Sequence, residues 1–137
     1  MFNLTIVFPT LPDMRLSVNG RNKLHHMERS SLVQLAKDEA FYLTKDALAK
    51  CSYWEPPQMA RISYEFYSDD KRIKDIEGGL IPACKAWVDG LVLAGALIAD
   101  DGWHLWVGRG ELRQSNMKQT RLIIEAMEEN KNGIIKQ

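Results

Sequence analysis

Ala60-Arg61-Ile62-Ser63-Tyr64-Glu65-Phe66-Tyr67 alternates apolar with polar side chains over eight residues. In extended backbone successive side chains point to opposite faces. Ala60, Ile62, Tyr64 and Phe66 therefore line one face, and Arg61, Ser63, Glu65 and Tyr67 the other. The pattern predicts a strand that is dry on one side and wet on the other, so another layer must cover the dry side.

Upstream, Leu32, Leu35, Ala36, Ala40, Leu43, Ala47 and Leu48 recur near a period of 3.6. This predicts a helix capped by Ser30 or Ser31 and ending around Cys51, with Pro56 and Pro57 barring its continuation. Further upstream, Leu4-Thr5-Ile6-Val7-Phe8 is β-branched and aromatic and stops at Pro9, which predicts a first strand followed by a rigid loop. Downstream, Leu80, Cys84, Trp87, Val88 and Leu91 fall at helical spacing, and Gly95 ends that helix. Asp100-Asp101-Gly102 reads as a turn and Trp103 to Val107 as a short strand. Leu122, Ile124 and Ala126 alternate with Arg121 and Glu125, which favours a strand over 120–127, with a helix as the alternative because Ile123 blurs the period. The tail from about residue 128 is polar. The expected order is β-α-β-α-β-β, a single α+β domain over 1–137 with a mixed sheet carrying helices.

The chain's 137 residues suit one domain, which at this size buries roughly two-thirds of its unfolded surface without staples. Charge is balanced, 18 Lys and Arg against 18 Asp and Glu, which excludes a uniformly polybasic binder and requires any nucleic-acid surface to be segregated. Cys51 and Cys84 stand alone, with no paired-cysteine motif, so neither a disulfide framework nor a structural zinc is expected. The N-terminus lacks a signal peptide's basic start and long apolar core, and no apolar run spans a bilayer. A cytoplasmic protein with no membrane association is the expectation.

The residues that could carry chemistry are acidic. Asp75 and Glu77 are two apart in the loop after the central strand, so extended backbone would point both the same way. Asp100 and Asp101 lie one helix later, where the chain turns back to the sheet. If the helix brought the two pairs together, a hard cation would be needed between them, and Mg²⁺ takes such oxygen ligands. On spacing alone, carboxylates solvated in turns are the more ordinary reading. Lys85 lies four residues before Asp89, where a helical ion pair would also explain it.

The run Asp75-Ile-Glu77-Gly-Gly-Leu80, then Lys85-Ala-Trp-Val-Asp89-Gly-Leu91, Ala94-Gly95 and Asp100-Asp101 resembles the core of the RusA family of Holliday junction resolvases. That family carries an Asp-x-Asp-Asn-Leu run, a helix Lys shortly before Asp-[Ala/Gly]-Leu, then Ala-Gly and Asp-Asp. The resemblance implies a small α+β fold and a Mg²⁺-dependent homodimeric endonuclease, often phage-encoded, that resolves four-way DNA junctions by paired symmetric incisions in recombination and repair. It implies that Asp75, Glu77 and Asp101, or Asp100, hold the metal and that Lys85 is required for cleavage. Two positions depart from the pattern, Glu77 for Asp and Gly78 for Asn. They sustain an alternative: a weak or inactive homologue that binds branched DNA without cutting.

Arg15, Asn19, Arg21, Lys23, His25, His26 and Arg29 crowd the segment after the first strand against a single acid beyond residue 13, Glu28. This predicts an arm that contacts DNA phosphates, a solvated loop being the other reading; the resemblance supports the arm. Arg109, Arg113, Lys118 and Arg121 form a second basic region. A homodimer would present two copies of each patch to a symmetric junction.

Overall fold

The alternating segment becomes an interior strand of a four-stranded sheet. In the computed structural model, which describes residues 3–17 and 25–127, strand β2 spans Ala60–Ser68 with every even-numbered residue buried. β4 (Gln119–Ala126) pairs antiparallel with β2 on one side and with β1 (Asn3–Phe8) on the other. β3 (Leu105–Gln114) pairs parallel with the free edge of β2, so the sheet is mixed, in the order β1-β4-β2-β3. The register puts Ile6 opposite Leu122 and Leu122 opposite Tyr64, so the apolar sets of three strands fall on one face.

That face is covered by helices. α1 spans His26–Lys50, and a helical stretch beginning with one π-helical turn (Ile76–Leu80) continues through α2 (Ile81–Ala83) into α3 (Lys85–Ala94). Phe8, Ile62, Phe66, Leu80, Leu91, Leu122 and Ile124 form the centre of the core. Trp87 joins the two layers: its ring stacks on Phe8 at 3.9 Å, and its Nε1 donates to Glu39 on α1 at 3.0 Å. α1 and α3 run very close together, since a Cβ on Gly90 would lie 2.6 Å from that of Ala40. Gly95 ends α3 at φ 91°, a left-handed conformation that glycine adopts without steric cost.

The result is a small α+β domain with a mixed sheet and three helices. Several boundaries differ from the sequence expectation. α1 begins at His26, four to five residues before either serine, because the His25 side chain accepts from the N–H of Met27 and caps the turn. β3 runs from 105 to 114, beyond the expected 103–107, because a parallel partner stabilises residues whose own alternation is broken by Gly108 and Gly110. The 120–127 segment is a strand. Asn19, Arg21, Lys23 and the tail from 128 lie outside the described residues. Among those described, no helix is long and apolar enough to cross a membrane.

Candidate functional site

Asp75 is the N-cap of the π turn. Its carboxylate accepts from the Gly78 N–H at 2.9 Å, while its carbonyl accepts from the Leu80 N–H at 3.1 Å, the i→i+5 bond that defines the turn. Gly78 leaves room for this arrangement, since a Cβ there would sit 2.6 Å from Asp75 Oδ2 and push the carboxylate aside. Glu77 stands in the first turn. The extended geometry expected for this pair is therefore corrected: Asp75 is extended, but the chain is helical from Ile76 onwards. Both acids nevertheless line one cleft of about 780 Å³ together with Lys74, Ile81, Val107 and Arg109.

Lys85 opens α3. Its ammonium donates to Asp89 Oδ1 at 2.6 Å, one helical turn on, and to Asp100, which the chain returns after Gly95. Partial burial opposes the charge on Lys85, but these hydrogen bonds outweigh it and raise its pKa. The hydrogen bond from Lys85 in turn lowers that of Asp100. The ion pair foreseen with Asp89 is thus half of a three-member group.

Asp101 has a different function. Its Oδ1 accepts from the Trp103 N–H and meets His104 Nδ1, each at 2.9 Å, while its carbonyl accepts from the N–H groups of His104 and Leu105. The hydrogen bond from His104 lowers the Asp101 pKa. Sequence reasoning missed His104; the Asp-x-x-His spacing across a turn was the available signal. Held by this turn, Trp103 is 84% exposed, whereas Trp54 bonds the Ala96 carbonyl and Trp87 is core.

The structure therefore groups Asp75 with Glu77, Lys85 with Asp89 and Asp100, and Asp101 with His104. Among the described residues no three His, Cys, Asp or Glu side chains come together as a metal-ligand set. The basic arm does approach these groups. The short turn Met14–Leu16 packs beside the π turn, with Met14 Cε 3.2 Å from where a Cβ on Gly79 would lie. Leu16 and Arg29 share a second cavity with Pro82, Lys85 and Asp89. Arg15 is held by Asp13 through two hydrogen bonds of 3.0 and 2.7 Å, and the rings of His25 and His26 lie 4.4 Å apart. In the second basic region Arg113 pairs with Glu65 and Glu111 at 3.1 and 2.8 Å, and Arg121 lies over the Tyr67 ring. No family model matches the chain, and no curated protein matches it.

Proposed function

We propose that this protein is a Mg²⁺-dependent endonuclease that resolves four-way DNA junctions by paired incisions, as its resemblance to the RusA family implies. One observation supports the reading above the rest: Asp75 and Glu77, both exposed, open on a single cleft flanked by Lys74 and Arg109. Mg²⁺ is commonly held by one or two carboxylates with water and substrate phosphate completing its shell. This donor set, oxygen only and open to solvent, fits that pattern. Asp75 and Glu77 would hold the ion, which supplies Lewis-acid polarisation of a phosphate and a lowered pKa for bound water.

The chain's own residues do the remaining work. The Gly78 N–H fixes one oxygen of Asp75 and so orients the other. Lys85, protonated at neutral pH, offers a compact charge to a DNA phosphate, with Arg29 on the same cavity as a second cation. Asp100 and Asp89 hold Lys85 in place. Asp101 organises the turn into β3 and is the third acid that the resemblance implies. Arg15, His25 and His26, with Asn19, Arg21 and Lys23 by sequence, form the phosphate-contacting arm. A homodimer would match the twofold symmetry of a junction.

A second reading, a homologue that binds branched DNA without cutting, is favoured by the engagement of Lys85 with two carboxylates and by the longer acid at 77. Incubation with a labelled four-way junction and with linear duplex, with and without Mg²⁺, separates the two. Symmetric nicking of the junction alone supports the endonuclease, and binding without nicking supports the homologue. Indifference to the junction overturns both.

A further inference from the structure

We infer that Arg109 is the phosphate-anchoring residue of the Asp75–Glu77 cleft, gripping a DNA phosphodiester at the rim opposite the acids. The register of β2 and β3 pairs Ile62 with Val107 and resumes at Tyr64 with Gly110. Ser63 thus faces two residues, Gly108 and Arg109, which makes a β-bulge, a device that re-aims a side chain.

Both neighbours of Arg109 are glycines without room for a side chain. A Cβ on Gly108 would lie 2.7 Å from Ser63 Oγ and 3.0 Å from the Ile62 carbonyl oxygen. A Cβ on Gly110 would lie 2.6 Å from Ile76 Cγ2 and 2.9 Å from Ile81 Cδ1. The strand is therefore pressed against β2 on one side and against the acid-bearing turn on the other. Of these three cleft-lining residues, Arg109 alone carries a side chain.

Its charge is poorly engaged. Arg113, four residues along, takes Glu111 at 2.8 Å and Glu65 at 3.1 Å, leaving Arg109 a 3.9 Å approach to Glu111. With the Arg109 side chain 85% exposed, such a pairing contributes little and exchanges readily for a phosphate. The guanidinium fork suits two phosphate oxygens at once. With Lys74 it also offsets the repulsion between the two carboxylates and the DNA backbone they must approach.

The inference rests on the endonuclease reading of the same cleft. The test compares wild type with Arg109→Gln, Arg109→Lys and, as a control away from the cleft, Lys50→Gln, whose cation pairs with Asp46 at the end of α1. Junction affinity is measured in EDTA across a salt series, and cutting in Mg²⁺ at saturating DNA. Arg109→Gln should weaken binding several-fold and flatten the log Kd against log salt slope by about 0.9, the loss of one phosphate contact. Its cutting rate should fall at least tenfold, a drop that Lys50→Gln does not share. Arg109→Lys should recover the slope but only part of the rate, because it lacks the fork. A wild type that cuts while Arg109→Gln matches it in affinity, slope and rate overturns the inference and leaves the endonuclease standing. A wild type that binds without cutting, with the slope still flattened in Arg109→Gln, supports the anchor and overturns the cutting. A wild type that ignores the junction overturns both.

Discussion

The two ends of one helical stretch treat their acids in opposite ways. At its start, Asp75 gives one oxygen to a backbone N–H and shares an open cleft with Glu77. Around the first turn of α3, Asp89 and Asp100 are consumed by Lys85, and beyond the helix Asp101 is consumed by a turn and His104. In the sequence Asp75, Glu77, Asp100 and Asp101 were alike candidates for a metal, and Asp89 alone was assigned a partner. What distinguishes them is whether the fold has already supplied a cation or donor. Carboxylates that lack a cationic partner suit the capture of an external ion, whereas paired ones fix geometry.

Mutations can break that contrast. The largest effect is expected from Asp75→Asn, which preserves an acceptor for the Gly78 N–H but removes the charge. Cutting of a four-way junction should fall about 100-fold or more, with little change in melting temperature. Unchanged cutting would show that the open pair is not the reactive one. Lys85→Ala should lower cutting by roughly ten- to a hundredfold through loss of a placed charge, and it leaves Asp89 and Asp100 without their shared cation. The carboxyl of Asp100, followed by NMR titration in that variant, should titrate higher than in wild type.

Gly110→Val probes the scaffold rather than the charge. Its side chain would enter the space of Ile76 and Ile81, and urea unfolding should report a loss of about 1–3 kcal/mol. Cutting should fall too, because the acid turn is displaced. A variant as stable as wild type would mean that the bulge and the turn are not tightly packed.

The smallest effect belongs to Asp100→Asn, about 1 kcal/mol or less, because the pair it breaks is partly exposed and screened by solvent. Its pH dependence has a definite sign. The folded-state pKa of Asp100 is depressed, so its stabilisation is present above the ordinary carboxylate pKa and is lost as pH falls through the depressed value. The stability gap between wild type and Asp100→Asn should therefore be open at neutral pH and close below about pH 4. A gap that persists in acid would mean that the contribution of Asp100 is not ionic.

Much of the fold was written in local pattern. The alternation at 60–67 and 120–126, the β-branched run at 4–8 and the 3.6-residue period over 32–48 each describe an element whose faces are set by its own backbone period. Gly95 declared its helix end for a similarly local reason. The acids, the lysine and the basic arm were visible as residue types. Apart from Lys85 with Asp89 their pairing was not, because Lys85 meets Asp100 across fifteen residues and Arg29, on α1, comes to line one cavity with Lys85 on α3.

The tertiary structure alone decided two things. It wound Ile76–Leu80 into a π turn that withdraws Asp75 and Glu77 from extended backbone while keeping them on one cleft. It also set a bulge in β3 against Ser63, so that Arg109 reaches the same cleft. Each of these follows from atoms distant in the chain competing for one space, and no periodicity in a single segment encodes that competition.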